Sequence, residues 1–461
     1  MAWIESSPGI WGRPLALTEI GMIAPLASLL PSNPAYPATQ VVSALRSAWK
    51  ALRLLRSPDI ATTFKDGQKI YSVTNSEDLE KWLEDTFTLK DTTTSLKDAV
   101  RDEQLKATLL PTLALLPETA TESNFIGSVI LFISHWRTEA AGVFKMLDQI
   151  FDYAEDLLTG SSTAAALETH VLGSEANLLT PALDDIFMSG KRPSDEAKAR
   201  VTQDFSNYYA NFPPLDYPMQ REPTASPSYL KVNQRTYTVS STSTLVASCK
   251  ANNVTITAAV HAAYLGAVWQ LASPESEKRS YASIMPAQLR TRLPKSSPYR
   301  EQGCWDSARM LLLTAPPDQD FLTRAQNLKT QYARANTDEW LYDDIGQIPI
   351  QMGLPPASDY PLPISMPYFT SIGVLDNEVI VPDHGGFQVN YLTFWADSTM
   401  PGIVLRLWTF KKRLNVQIQW NAAYHSDASI QRTLDIIEEI LKQELGMTMD
   451  VERSSVEEYN G

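Results

Sequence analysis

Apolar positions along this chain change period several times, and each change marks an element. From Thr39 to about Leu55, Val42, Leu45, Trp49, Leu52 and Leu55 recur at three and four residues, with Arg46, Lys50 and Arg53 between them. That spacing predicts an amphipathic helix. From Phe125 to Ile133 the pattern is a continuous apolar, β-branched run broken only by Gly127 and Ser128. A strand buried on both faces reads this way, and it delivers His135 to its own end. After Gly142 the period becomes helical again: Val143, Met146, Leu147, Ile150, Phe151 and Ala154 form one side, and Asp148, Asp152 and Glu155 the other. His135 therefore falls at a strand-to-helix corner, where a rigid scaffold can aim a side chain.

The remaining elements follow in order. Trp11 to Leu15 and the apolar run Met22 to Leu30 read as extended segments, Lys69 to Val73 as an edge strand, and Ser76 to Phe87 as a short helix capped by Ser76. Ser95 to about Leu109 is expected as a surface helix, and the proline-broken stretch 110–118 as a lead into the buried strand. Ala164 to Val171 and Pro193 to Phe212 are further helices, the second capped by Ser194. Residues 212–229 carry enough proline to form a semi-rigid crossing. Beyond it come an alternating strand from Leu230 to Val239 and helices over Ser241–Lys250 and Thr255–Ala272. Strands at Ser280–Met285 and Ala308–Thr314 precede a helix from Gln319 to Ala335. Four strands at 368–375, 387–395, 402–410 and 414–420 then build most of a sheet, and a helix over Asp427–Leu445 follows. Strand, helix and strand recur in both halves. The expected domains are 1–211 and 230–461, joined by the crossing at 212–229.

Composition narrows the partners. The 461 residues are 44% hydrophobic with 11 Trp, enough to fill two cores. A net charge of −14 argues against nucleic acid and against an anionic membrane surface. Two cysteines, Cys249 and Cys304, give no disulfide framework, and the five histidines are never paired at metal-ligand spacing. No apolar run reaches bilayer length and no secretory signal is legible at the start, so a cytoplasmic protein is the expectation. Hydrolase, zinc-peptidase, P-loop and dinucleotide motifs are missing from the letters.

A lone histidine beside a buried strand is more often a hydrogen-bonded structural residue than a catalyst. The spacing His135-x-x-x-Glu139 changes that balance. It resembles the H-x-x-x-D-G signature of the chloramphenicol acetyltransferase, condensation-domain and BAHD acyltransferase superfamily. The wording His-Trp-Arg-Thr-Glu is most similar to the fungal branch around trichothecene 15-O-acetyltransferase. Glu139 stands where Asp is usual, and Ala140 where Gly is usual. The segment Met285 to Pro294, with Arg290 and Arg292, resembles the P-x-x-x-R-x-R-L segment of the second half.

The resemblance implies two sandwiched α/β domains, similar to each other and side by side, with a tunnel between them. It implies His135 as general base, and Glu139 as a site-organising carboxylate paired with an arginine of the second half, Arg290 before Arg292. Thr370 or Ser371, in Tyr368–Leu375, would be a weaker candidate for oxyanion or substrate contact. Asp383-His-Gly-Gly-Phe387 is expected as a structural turn, and Lys411-Lys412-Arg413 as a hairpin tip. The implied activity is O-acyl transfer to a hydroxyl of a fungal secondary metabolite. Acetyl-CoA or another acyl-CoA would be co-substrate, with no permanently bound cofactor, no metal, and a monomer as the expected state. Two alternatives stay open: the same fold using a carrier-bound donor or a condensation or cyclisation chemistry, and a catalytically silent binding protein.

Overall fold

The computed structural model describes residues 4–14, 25–32, 36–96, 98–99, 110–120, 125–160, 162–188, 194–219, 230–337, 364–376, 379–396 and 401–459. Most of the helix expected over 95–109, the run 22–24, Asn124 and the crossing residues 220–229 lie outside these. The chain forms two compact units. The first holds residues 1–189, 289–308 and 375–397, and the second holds 190–288, 309–374 and 398–461. A single cut at 212–229 does not describe this partition, because two later segments fold back into the first unit.

The first unit contains strands β1 (Ile4–Ser7), β2 (Ile10–Pro14) and β3 (Pro25–Ser32), helix α1 (Ala38–Ala51), and strands β4 (Thr63–Lys65) and β5 (Gln68–Ser72). Next come helix α2 (Ser76–Thr86), strands β6 (Phe87–Leu89), β7 (Thr112–Ala120) and β8 (Phe125–Ser134), and helices α3 (Ala140–Thr159), α4 (Ser162–Thr169) and α5 (Leu183–Met188). The second unit contains α6 (Asp195–Tyr209), β9 (Leu230–Tyr237), α7 (Val239–Ala251), α8 (Ile256–Leu271), β10 (Tyr281–Gln288), β11 (Ala308–Ala315, whose first residue belongs to the first unit), α9 (Phe321–Ala333) and β12 (Pro367–Val374). Strand β13 (Thr393–Ala396) returns to the first unit, and β14 (Ile403–Phe410), β15 (Arg413–Asn421), α10 (Asp427–Leu445) and β16 (Val451–Tyr459) complete the second.

In the first unit a five-stranded sheet runs β13-β3-β8-β7-β6, so the apolar run is its central strand. Leu131 is in register with Leu113 of β7 and Ser28 of β3. Residues 129–131 are fully buried, as a strand covered on both faces must be. The proline-broken stretch is itself strand β7. Its Pro117 lies where the ladder with β8 shifts register, the kind of irregularity at which a proline is tolerated in a strand. Helices α1 and α3 pack on each other, and Trp49 stacks on Trp82 of α2 at 5.4 Å. A separate four-stranded antiparallel sheet runs β1-β2-β5-β4, which places the expected edge strand β5 inside it. The cap of α2 is Asn75, one residue earlier than expected: its side-chain oxygen accepts from the Asp78 N–H.

In the second unit the sheet runs β12-β14-β15-β9-β16, parallel between β12 and β14 and antiparallel elsewhere. Helix α8 packs against α10 and α9, and its small residues Ala258, Ala259, Ala262, Ala263 and Ala267 are fully buried. The β14–β15 hairpin turns at Lys411 and Lys412, both at positive φ, as a two-residue turn of the strands' own twist requires. The strand expected at 387–395 is reduced to β13: residues 383–388 turn around Gly385, at φ +77°, instead of extending. Strand β16 had no legible signal, since V-E-R-S-S-V-E-E-Y is polar and lies at a sheet edge. Among the described residues no single helix is long and apolar enough to cross a membrane.

Candidate active site

Strand β8 ends at Ser134, and the chain turns at once. The Arg137 N–H donates to the Ser134 carbonyl at 3.0 Å, which puts His135 and Trp136 at the two central positions of a β-turn. His135 is half-buried. The three residues after the turn's central pair, Arg137, Thr138 and Glu139, are anchored on two other segments of the first unit, the first on Thr62 and the other two on 289–308. The Arg137 guanidinium donates to the Thr62 carbonyl and to Ser134 Oγ. Thr138 Oγ1 donates to the Gly303 carbonyl at 2.7 Å. Glu139 then holds the N-cap position of α3 in extended backbone geometry, but its side chain does not cap the helix.

The Glu139 carboxylate is used elsewhere. Its Oε1 lies 3.0 Å from an Arg290 guanidinium nitrogen and accepts from Ser307 Oγ at 3.1 Å. Its Oε2 accepts from the Ser307 backbone N–H at 3.2 Å. Arg290 is itself held: its other donors reach the carbonyls of Gln302 (3.0 Å) and Trp305 (2.9 Å), and its guanidinium lies over the Trp305 ring. The whole cluster is buried, so its charges are worth having only because each is paired and hydrogen-bonded. The structure thus brings Glu139 and Arg290 together beside the His135 turn. The pair lies within one unit, although Arg290 comes from the second half of the sequence, because 289–308 folds back into the first unit.

Two glycines make this approach possible. A Cβ on Gly142 would lie 2.1 Å from Thr138 Oγ1 and 2.3 Å from the Gly303 carbonyl oxygen; one on Gly303 would meet Met146 Cγ at 2.4 Å. The first turn of α3 and the 302–307 segment touch backbone to backbone there. The close approach therefore falls on Gly142, while Ala140 is accommodated as the half-buried first residue of the helix. Glu139, one methylene longer than Asp, reaches the Ser307–Arg290 cradle directly.

Behind the corner, Trp136 is flanked by cations: the Arg137 guanidinium at 4.0 Å and Lys69 Nζ at 5.4 Å from its ring centre. Lys69 also lies 3.3 Å from Asp59, whose carboxylate accepts from the N–H and hydroxyl of Thr180. Burial lowers the Arg137 guanidinium to about 10, against the opposing pull of the Asp59 charge, and pushes the Cys304 thiol up to about 12.

The other singled-out residues fall elsewhere. Thr370 and Ser371 sit on β12 of the second unit; Ser371 Oγ is 3.1 Å from Thr257 Oγ1 in the first turn of α8, and Thr370 is in register with Arg406. Arg292 closes the short turn after Arg290. His384 does lie in a turn, docked on α3 with Nδ1 2.7 Å from Asp152 and Nε2 3.4 Å from Asp148. His261 is wholly buried, stacked on Phe369 at 4.1 Å and bonded to Tyr281 and Tyr332. Burial lowers its pKa to about 3, which leaves it a neutral packing residue. His170 has a partner that its sequence context did not suggest, Glu175 Oε2 at 3.0 Å. Ser307, Thr138, Arg137 and Gly142 were not foreseen as parts of the corner. Gly142 is marked in the sequence only as the point after which the helical period begins, one turn later than the observed start of α3 at Ala140. Among the described residues no group of three or more His, Cys, Asp or Glu side chains could hold a metal ion.

No model of a known protein family matches the chain. It is 25% identical to the O-acetyltransferase pigM of Monascus ruber, over 98% of this chain and 88% of that protein. It is 22% identical to the acetyltransferase pigO of the same organism, over 98% and 99%, and 23% identical to the azaphilone biosynthesis cluster protein M of Aspergillus terreus, over 70% and 78%. Among solved structures it is similar to TRI3 trichothecene 15-O-acetyltransferase from Fusarium sporotrichioides, with a TM-score of 0.77 at 15% identity, covering 95% of this chain and 97% of that one. It is also similar to the epimerization domain from the third module of tyrocidine synthetase B, at 0.64 and 12%, covering 96% and 99%. Sequence likeness along nearly the whole chain to named fungal acetyltransferases supports an acyltransferase, and the solved structures it resembles share the chloramphenicol acetyltransferase-like and condensation-domain fold.

Proposed function

We propose that this protein is a CoA-dependent O-acyltransferase of fungal secondary metabolism, with an acetyl group as the unit transferred and His135 as general base. The observation that carries the reading is the corner itself. A half-buried histidine occupies a turn followed by three residues bound to two other segments of the chain, Arg137 to Thr62, and Thr138 and Glu139 to 289–308, the last through a buried ion pair. Such investment of buried polar groups in a turn is expected where geometry matters to chemistry. The relatives' printed activities, O-acetyl transfer in Monascus ruber and trichothecene 15-O-acetyl transfer in Fusarium sporotrichioides, supply the reaction class.

The steps follow from the residues. The neutral imidazole of His135 takes the proton of the acceptor hydroxyl as its oxygen attacks the thioester carbonyl. A tetrahedral adduct forms, the carbon–sulfur bond breaks, and the imidazolium returns its proton to the leaving thiolate. No covalent enzyme intermediate is needed. Glu139 and Arg290 touch neither substrate; they hold the turn so that the base meets the hydroxyl at one angle.

The test supplies acetyl-CoA with a panel of hydroxylated polyketide and terpenoid alcohols, and follows thiol release together with the mass gain of one acetyl group. Turnover by the wild type and loss of at least about 100-fold in His135→Ala is the expected result, the scale of a general base removed. Equal rates in the two proteins would sink the assignment of the base. Transfer from an acetyl-loaded carrier protein but not from acetyl-CoA would overturn the choice of donor and leave the base standing.

A further inference from the structure

The residue two places after the histidine carries more structure than a turn needs. A β-turn is closed by one backbone hydrogen bond, and Arg137 N–H to the Ser134 carbonyl supplies it. Its guanidinium then reaches back to Ser134 Oγ, bridging the same two residues a second time, and also binds the Thr62 carbonyl. The Arg137 side chain is fully buried and lies 4.0 Å over the Trp136 ring, which Lys69 and Phe64 also approach. Ser134 is held by the β3–β8 ladder, where it pairs with Pro25.

We propose that Arg137 is a positioning residue for His135: by bracing Ser134, stacking on Trp136 and anchoring to Thr62, it leaves the backbone of His135 a single conformation. With the residues on either side fixed, the imidazole retains only its own two side-chain rotations. A planar guanidinium can do this because it presents several donors in one rigid fork and a face for stacking, neither of which an ammonium offers. Burying the charge disfavours it, as the lowered pKa records; a methyl-bearing apolar side chain would fill the volume at less desolvation cost but could not bridge the turn. The inference rests on His135 being the base, and deepens that reading.

The test uses the full chain with Arg137→Lys, Arg137→Met and, as control, Arg53→Met. Arg53 is another buried arginine of the first unit, stacked 4.6 Å from the ring of Trp82 on α2. Three readouts are compared: thermal stability, kcat and KM for acetyl transfer, and the imidazole carbon resonances of the five histidines, with that of His135 identified by its loss in His135→Ala. In Arg137→Met, kcat is expected to fall about 100-fold with KM changed less than about 2-fold, as a misplaced catalytic group produces. Arg137→Lys should be intermediate. The His135 resonance should shift or broaden while those of His170, His261, His384 and His425 stay in place. Arg53→Met should lower stability with kcat intact. A folded Arg137→Met with wild-type kcat and an unmoved His135 resonance overturns the proposal, as does an Arg53→Met that reproduces the same kcat loss. The outcomes separate the two claims. If His135→Ala turns over like the wild type, the base assignment falls and this inference with it. If His135→Ala is inactive and Arg137→Met is fully active, only this inference falls. The resonance measurement reads the ring directly, whatever the acceptor.

Discussion

Neutralising the buried ion pair from one side and then from both would separate its part in stability from its part in catalysis. Glu139→Gln leaves the Arg290 guanidinium buried with two carbonyl partners and no counter-charge; Arg290→Met leaves the Glu139 carboxylate with only the two Ser307 donors. Removing one partner of a buried pair costs about 3–5 kcal/mol. The remaining hydrogen bonds on each side argue for the lower end, about 3 kcal/mol, or a Tm lower by roughly 6–12 °C for a body of some two hundred residues. The double variant, Glu139→Gln with Arg290→Met, removes both charges together. Neutral replacement of a buried pair is often neutral or stabilising, so the double should recover to within about 1 kcal/mol of the wild type. Catalysis should not recover. With the ion pair gone, the α3 end of the His135 turn loses its Arg290 anchor and keeps the Thr138–Gly303 bond and the Ser307 contacts, and a displacement of about 1 Å at the base costs on the order of 100-fold in kcat. Thermal unfolding and initial rates of thiol release on the four proteins form a complete cycle. Recovery of kcat in step with Tm would refute the reasoning, since the pair would then serve the fold and not the base.

Three other outcomes are expected. Gly142→Ala, which raises helix propensity by about 1 kcal/mol on an exposed helix, should instead destabilise by about 1–3 kcal/mol, because the new methyl meets Thr138 Oγ1 and the Gly303 carbonyl oxygen; denaturant unfolding reads the sign. For His261 the folded pKa of about 3 lies below the unfolded value of 6.5, so the unfolded chain binds the proton first and stability is lost as pH falls from 6.5 toward 3. The slope is about 1.4 kcal/mol per pH unit, or about 2 kcal/mol by pH 5, and His261→Gln should flatten the acid limb of a stability-versus-pH curve by that amount. Asp148, raised by burial from 3.8 to about 6, gains its proton in the folded state first and works in the opposite sense between those values. Cys249 and Cys304, both buried and pushed by that burial to about 11 and about 12, should resist a thiol-specific reagent until the protein unfolds; stoichiometric labelling of the native protein would contradict that.

Elements whose identity rests on local periodicity were legible. Strand β8, helix α3 and the closing helix Asp427–Leu445 follow from apolar spacing alone, since each buries a continuous face. Strand β7 was obscured by Pro117, which lies at a register shift that only the partner strand defines. Strand β16 was obscured because an edge strand buries too little to leave an apolar alternation. The division into units was illegible for a different reason. Segments 289–308 and 375–397 have no compositional mark; they join the first unit through long-range contacts, Arg290 and Ser307 on Glu139, His384 on Asp152, and the pairing of β13 with β3.

The same distinction explains the corner. A strand-end histidine followed four residues later by a carboxylate can be read from the letters, because both positions are local. What turns that spacing into a fixed geometry is contributed from 151 and 168 positions away by Arg290 and Ser307, and from Thr62 and Gly303 through backbone carbonyls that no side-chain identity reveals. A carbonyl acceptor belongs to every residue, so its use leaves no trace in sequence. The replacement of Asp by Glu at 139 makes physical sense only once Ser307 is seen to offer both its N–H and its hydroxyl. The longer carboxylate spans the gap to two donors on one residue and a guanidinium on another, while the glycine needed for close approach is supplied at 142. Glu139 and Gly142 therefore form one steric solution, and changing Glu139 to Asp should weaken the Ser307 contacts before it weakens the Arg290 pair, because Arg290 has a flexible chain with which to follow and the Ser307 backbone has none.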